Sequence, residues 1–205
     1  EESGQVTDQF RVEAPLAFLE EFQARYSSPE LQNLPIYTGG LVGYFGYDTI
    51  RYVEKKISQS APPDTLGTPD IILMVSNDVI VFDNVLGRIH LITHADPAVD
   101  GSFDLAQARL QQMTQDLQTN VPKDLHGPVR GPRLHEADFV SNYGEEAYKA
   151  DVEKIKDYIV EGDVMQVVLA QRMSVAFESD PLNLYRALRS LNPSPYMYFL
   201  DLEDF

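Results

Sequence analysis

Residues 69–96, PDIILMVSNDVIVFDNVLGRIHLITHAD, contain three runs of β-branched and large apolar residues. The polar residues 76–78 interrupt the runs once, and residues 83–87 interrupt them again. Short strands joined by short polar turns are typical of an antiparallel meander, because parallel strands need long crossover connections. This stretch therefore predicts a sheet that is antiparallel.

Helical patterns lie on both sides of these runs. Residues 15–26 and 102–118 each carry a stripe of apolar side chains at spacings of three and four: Leu16, Leu19, Phe22 and Tyr26 in the first, and Phe103, Ala106, Leu110, Met113 and Leu117 in the second. We therefore expect an α+β fold of mostly antiparallel sheets flanked by helices.

The glycine-rich stretch 34–50, LPIYTGGLVGYFGYDTI, suits a strand whose backbone a neighbour approaches closely. A phosphate-binding loop would need Lys and then Ser or Thr after its last glycine, where this chain has Tyr47 and Asp48. His90 and His94 are too far apart along a strand to chelate a metal without other ligands. We therefore predict neither a phosphate cradle nor a metal site in this chain.

Composition narrows the class of protein. The formal net charge of −16 disfavours nucleic acid as a partner, because a phosphate backbone is bound by cationic side chains. The 205 residues contain no cysteine, no apolar run long enough for a membrane span, and no signal-peptide pattern at the start. We expect a cytoplasmic protein without a membrane partner.

Prolines and glycines concentrate in residues 121–141, as in a connector. We therefore predict one domain over residues 1–120 and the beginning of another over residues 142–205. The chain starts with Glu1, and strand-like alternation still runs at Phe205. We expect the fold to be incomplete at both ends.

The second domain opens with a helix that Asn142 can cap, with Glu145 three residues later, and that Gly162 ends. Residues 163–177, DVMQVVLAQRMSVAF, then predict a long strand with two distinct faces. The polar Gln166 in this apolar run needs a partner. A core amide paired with a neighbouring strand and a ligand contact both fit the pattern.

Asp180 and Pro181 predict the start of a short helix, which must end by Asn192. The following residues, PSPYMYF, contain two prolines without a backbone N–H, so the segment is extended and leaves carbonyls available. Met197 adds a polarizable sulfur suited to an aromatic ring. Two interpretations are open: a helix that feeds a core strand, or a site for a small flat ligand.

Three segments carry a family resemblance: GGLVGYFGYD (39–48), IKDYIVEGDVMQVVLAQR (155–172) and LNPSPYMYF (191–199). In this order and spacing they resemble the large subunit of anthranilate synthase, in the family of chorismate-utilising enzymes, over nearly the whole chain. The resemblance implies conversion of chorismate and ammonia to anthranilate and pyruvate, the first step of tryptophan biosynthesis. It also implies a glutamine amidotransferase subunit as ammonia source, Mg²⁺ as cofactor, and a heterotetramer of two large and two small subunits.

In that family a Pro-Tyr-Met segment contacts L-tryptophan, the feedback inhibitor, which implicates Pro195, Tyr196 and Met197 here. The family's Leu-Leu-Glu-Ser, Gly-Ser-Ser-Pro-Glu, catalytic histidine and magnesium-binding glutamates do not occur in this chain. We expect the magnesium ligands beyond Phe205, and no activity from this chain alone.

Gln166 has a further implication within the family. Members that add water to chorismate resemble this chain but carry Lys there, and a Lys of lowered pKa can deprotonate water. Gln can orient a nucleophile but cannot generate hydroxide, and ammonia needs no deprotonation. Gln166 thus fits an amine-adding enzyme and argues against an isochorismate-forming one.

Two alternatives stay open. Aminodeoxychorismate synthase component I, of the folate pathway, shares the fold and the amine chemistry, but its segment typically has a small residue where Met197 stands. The other alternative is a non-catalytic module that binds tryptophan or docks a partner.

Overall fold

The computed structural model describes residues 6–29, 31–119 and 133–202, and the chain divides into two compact units. Residues 1–121 with 200–205 form the first unit, and residues 122–199 form the second. The first unit contains α1 (Pro15–Gln23), β1 (Gly40–Phe45), α2 (Ile50–Val53), β2 (Ile71–Ser76), β3 (Val79–Asp83), β4 (Arg88–Ile92) and α3 (Ser102–Gln118). The second contains β5 (Val140–Ser141), α4 (Glu145–Glu161), β6 (Met173–Ser174) and α5 (Pro181–Leu191).

Three two-stranded sheets, all antiparallel, pair β1 with β2, β3 with β4, and β5 with β6 within the described residues. Together with the helices they confirm the predicted α+β class. The predicted connector, residues 121–141, lies partly outside the described residues, so the two domain limits stay a prediction. Its last two residues form β5.

The β1–β2 ladder is six residue pairs long, from Gly40 opposite Ser76 to Phe45 opposite Ile71. At Gly43 the two backbones are so close that an added Cβ would lie 1.9 Å from the carbonyl oxygen of Ile72. No side chain fits there without moving the strand. The predicted close approach at this glycine stretch is confirmed.

The predicted meander is wrong in one connection. β3 and β4 form the expected hairpin, but β2 pairs with β1 rather than with β3. The turn residue Asp78 explains the break, because its carboxylate accepts hydrogen bonds from Thr93 Oγ1 (2.6 Å) and Arg109 Nε (2.6 Å). These contacts tie the turn to the end of β4 and to α3 instead of folding β3 back on β2.

Helix α3 packs against β4 of the β3–β4 hairpin and supplies Met113, which is buried with 4% exposure. The predicted stripe on this helix is therefore correct at its centre. Gly101 precedes the helix with a φ of 77°, a left-handed conformation that glycine adopts without strain. The helix can thus start directly at Ser102.

In the second unit α4 ends at Gly162, as predicted, with a φ of 83°. Its start differs from the expectation, since the residue before the helix is Gly144 and not Asn142. The hydroxyl of Ser141 accepts from the N–H groups of Tyr143 and Gly144, while Asn142 Oδ1 accepts from Arg172 N at 2.8 Å. Asn142 is thus used for a contact between segments instead of a helix cap.

The predicted long strand over residues 163–177 is wrong for most of its length. Only Met173 and Ser174 pair, with β5, and residues 163–172 form no strand. Met165 is 98% exposed and Val168 83% exposed. Alternation makes a segment suitable for a sheet, but a ladder also requires a neighbouring strand to hydrogen-bond.

Candidate functional site

The candidate site lies where α5 ends and the chain turns back along it. Asp180 caps the helix by accepting from Leu182 N at 2.8 Å, and Pro181 occupies the first turn, as predicted. Asn192 closes it, with its N–H donating to the Leu188 carbonyl at 2.9 Å. Pro193 cannot continue the helix, so the chain leaves it at this point.

A groove of about 290 Å³ lies between the end of α5 and the segment that follows. Its walls come from both sides of the turn: Tyr185, Leu188 and Asn192 from the helix, and Ser194, Tyr196, Met197 and Tyr198 from the segment. This volume lies just below the range for small-molecule sites, about 300–1,000 Å³.

An aromatic contact ties the returning segment to the helix. The rings of Tyr185 and Phe199 lie 5.9 Å apart at an interplanar angle of 48°, which is a favourable tilted arrangement. Met197 is half-buried, whereas Tyr196 is 93% exposed and can pack on a ligand without leaving a core position. The groove therefore combines a fixed wall with an accessible ring.

Of the described residues that line the groove, none carries a formal charge, and the polar groups are an amide, a serine hydroxyl and tyrosine hydroxyls. Such a lining favours a flat, largely apolar ligand. Pro193 and Pro195 adjoin lining residues without lining the groove, and each has a carbonyl but no N–H.

Two of the three predicted ligand contacts, Tyr196 and Met197, line this groove, and Pro195 lies between lining residues without being one of them. The sequence analysis missed Tyr185 and Leu188. With Asn192 they share one face of α5, but helical spacing alone does not show that this face lines a groove.

Gln166 lies on the exposed segment 163–172 and is not a lining residue of the groove. The structure does not bring it together with Tyr196 and Met197. Contacts on its C-terminal side hold the segment: Tyr148 Oη donates to the Leu169 carbonyl at 3.2 Å, and Ser141 Oγ lies 3.0 Å from Gln171 Oε1. Its catalytic assignment stays a prediction.

The perturbed groups of the second unit cluster at the start of α4. A hydrogen bond to Asp151 raises the pKa of Tyr143, so this tyrosine stays neutral over an extended alkaline range. Lys149 lowers the pKa of Glu145 by hydrogen bonding, and Glu145 raises that of Lys149 in the same way.

Residues 6–29, 31–119 and 133–202 bring together no group of three or more His, Asp or Glu side chains able to hold a metal ion. The Mg²⁺ implied by the family resemblance, with its ligands expected beyond Phe205, stays a prediction. Over the same ranges no helix is both long and apolar enough to cross a membrane.

A larger depression of about 560 Å³ follows the coil residues 9–12. Among the described residues it is lined by that one short stretch alone, which offers a ligand little enclosure. The groove beside α5 is the better candidate.

The chain is similar to several enzymes with one name. Anthranilate synthase component 1 of Pseudomonas putida is 50% identical over 194 residues, which cover 95% of this chain and 39% of the relative. The protein of that name from Neisseria gonorrhoeae is 46% identical over 208 residues, which cover 100% of this chain and 41% of the relative. The chain thus spans about two fifths of the length of the curated relatives it matches.

A solved structure agrees with these relatives. The crystal structure of anthranilate synthase component I from Streptococcus pneumoniae TIGR4 matches with a TM-score of 0.76 and 34% sequence identity, over 98% of this chain and 43% of that one. This likeness confirms the predicted fold class. The family model described as chorismate binding enzyme matches residues 2–205. The chain therefore belongs to the family of chorismate binding enzymes.

Proposed function

We propose that this chain is part of an anthranilate synthase component 1, which converts chorismate and ammonia to anthranilate and pyruvate, a lyase reaction that opens tryptophan biosynthesis in the cytoplasm. The groove at the end of α5 supports the more specific part of this proposal, an anthranilate synthase rather than an aminodeoxychorismate synthase. Met197 lies in its wall next to Tyr196, where an aminodeoxychorismate synthase would typically have a small residue.

The same groove is the proposed site of feedback inhibition by L-tryptophan. An indole ring fits a lining of tyrosine rings, a leucine and a thioether, because sulfur packs favourably on aromatic edges and rings pack on each other. The ammonium group would be met by carbonyl oxygens of the proline-containing turn, which is already stiff and so loses little entropy on binding.

Gln166 is proposed to orient the attacking ammonia. An amide can donate and accept hydrogen bonds but cannot generate hydroxide near neutral pH, so this residue type supports amine addition rather than water addition. Its exposed position in the segment leaves its side chain accessible to a small nucleophile.

The name component 1 of the relatives implies a second component. We propose a glutamine amidotransferase subunit that supplies the ammonia, in an assembly of two large and two small subunits. Mg²⁺ is part of the same proposal, but the described residues offer it no ligand cluster. No step is assigned to it here.

The test uses the full-length protein with chorismate, ammonium and Mg²⁺. We expect anthranilate, detected by its fluorescence, with pyruvate in equal amount, and calorimetric binding of L-tryptophan that suppresses this activity. Formation of aminodeoxychorismate instead would favour the folate-pathway alternative. Tryptophan binding without any turnover of chorismate would favour a non-catalytic module.

A further inference from the structure

The segment that carries Gln166 has no ladder to hold it. Residues 163–172 form no strand, so their placement depends on contacts made by neighbouring side chains and by single backbone groups. At the far end, Asn142 exchanges two hydrogen bonds with Arg172: its N–H donates to the Arg172 carbonyl at 3.1 Å, and its Oδ1 accepts from Arg172 N. These bonds hold the segment where it joins β6.

After the contact of Ser141 with Gln171, Tyr148 makes the next contact toward Gln166. From α4 its hydroxyl donates to the Leu169 carbonyl at 3.2 Å, three residues beyond Gln166 in the chain. Both Tyr148 and Leu169 are half-buried, so water competes less for this bond than for the exposed contacts of the unit.

The Tyr148 ring is itself held in place. The ring of Tyr143 meets it edge to face with centroids 5.9 Å apart at 83°. The Tyr143 hydroxyl donates in turn to Asp151 Oδ2, on the same helix as Tyr148. Asp151 and Tyr143 thus hold the ring from which the Leu169 bond is made.

We propose that Tyr148 is a positioning residue, whose hydroxyl fixes the backbone at Leu169 and so the place of Gln166. The first half of this proposal, that Tyr148 holds the backbone at Leu169, rests on the geometry alone. The catalytic half rests on the proposed function, because Gln166 is expected to orient ammonia. Misplacement of a reacting group by about 1 Å can cost roughly a hundredfold in rate.

Tyr148→Phe in the full-length protein removes the hydroxyl but keeps the ring and its edge contact with Tyr143. It therefore tests the hydroxyl alone. Tyr158→Phe is the matched control: Tyr158 lies on the same helix, and its ring packs under Lys154. Hydrogen exchange is measured at the amide of Arg172, whose N–H donates to Asn142 Oδ1, together with kcat and KM for chorismate in anthranilate formation.

For Tyr148→Phe we expect exchange at Arg172 to accelerate about fivefold, because the segment is held by one hydrogen bond fewer, with α5 unchanged. We expect kcat to fall about tenfold while KM changes less than about twofold, because orientation rather than affinity is lost. The control should match the unmodified protein in all three quantities.

Unchanged exchange in Tyr148→Phe overturns the proposal whatever the protein catalyses. Faster exchange with unchanged kcat overturns the catalytic half, and equal kcat losses in both variants show a general effect on α4 instead. If the unmodified protein forms no anthranilate, the proposed function fails, while the exchange comparison still decides whether Tyr148 holds the segment.

Discussion

The β1–β2 ladder and the segment 163–174 have similar amino-acid compositions but different structures. Both are rich in apolar and β-branched residues, yet the first forms six residue pairs and the second forms two. In the ladder the backbone groups bond to each other across 25 or more residues of chain. In the segment the contacts come from side chains such as Asn142 and Tyr148.

Because of this difference, the ladder should matter mainly for the stability of the fold, and the ladder-free stretches mainly for ligand binding. A continuous ladder with a close backbone approach tolerates little change, since every residue in it is constrained by a partner strand. The ladder-free stretches, residues 163–172 and 192–199, expose their side chains and leave backbone groups available to a ligand. We therefore expect substitutions in the first region to unfold the protein, and substitutions in the second to change binding and rate.

The largest effect is expected from Gly43→Ala in β1. A Cβ there would lie 1.9 Å from the Ile72 carbonyl oxygen, so the strands must separate, at a cost of about 3 kcal/mol in unfolding free energy. Gly46→Ala is the control, because its Cβ would lie 3.1 Å from the Asp70 carbonyl oxygen. Urea unfolding of the full-length protein measures both, and equal small losses would contradict the comparison.

Met197→Thr should weaken ligand binding and leave the stability of the fold nearly unchanged, the opposite of Gly43→Ala. It removes a sulfur contact and apolar area worth roughly 1–3 kcal/mol to a bound indole, so the tryptophan concentration for half-inhibition should rise about ten- to a hundredfold. Since coupling between two ligands is reciprocal, the effect of tryptophan on chorismate affinity should weaken in parallel. Chorismate titrations at several tryptophan concentrations test this, and a loss of fold stability as large as that of Gly43→Ala would show that the turn is structural.

Gln166→Lys tests whether the ladder-free segment 163–172 takes part in the reaction. If Gln166 orients ammonia as proposed, replacing its amide with a potential base should lower the rate of amine addition about tenfold and allow some addition of water. Chromatography of the products formed from chorismate, with and without ammonium, measures both. An unchanged rate and product profile would place the nucleophile elsewhere.

A smaller, pH-dependent effect is expected at Asp78 in the first unit. Burial raises the pKa of this carboxyl, but hydrogen bonds from Thr93 and Arg109 and the charges of Arg109 and His94 outweigh it, so the pKa lies below its usual 3.8. A carboxyl with a lowered pKa stabilises the fold above its unfolded value, and this contribution is lost as the pH falls through the folded value.

Asp78→Asn should therefore cost about 1 kcal/mol near pH 7, a modest loss because Asp78 and Arg109 are 31% and 51% exposed. The difference from the unmodified protein should shrink as the pH falls below about 4. Urea unfolding over this pH range measures it. A difference that stays constant would show that Asp78 acts through its shape rather than its charge.

Local signals made much of this fold predictable. Asp180 with Pro181, Asn192 and Gly162 act through their own backbone neighbours, so helix ends could be predicted from a few adjacent residues. The runs that form β1 to β4 were predictable for the same reason. The partners of the strands were not, because Asp78 turns the chain by bonding to residues 15 and 31 positions away.

The candidate site shows the same limit. Tyr196 and Met197 could be predicted because a donor-poor turn and a thioether are visible in adjacent residues. Tyr185 could not, since a helical stripe does not tell which part of it faces a core and which faces a groove. The exposure of Gln166 also escaped prediction, because alternation describes the faces of a strand and not whether a neighbour is present.

The tyrosines around the groove make it an optical reporter. Three of the seven lining residues are tyrosines, and the 205 residues contain no tryptophan. Tyrosine emission overlaps indole absorption, so light absorbed by Tyr185, Tyr196 and Tyr198 can pass by resonance energy transfer to an indole lying among them. Within this stretch of chain the acceptor would be the ligand itself, and its sensitised emission would count occupied grooves without any label.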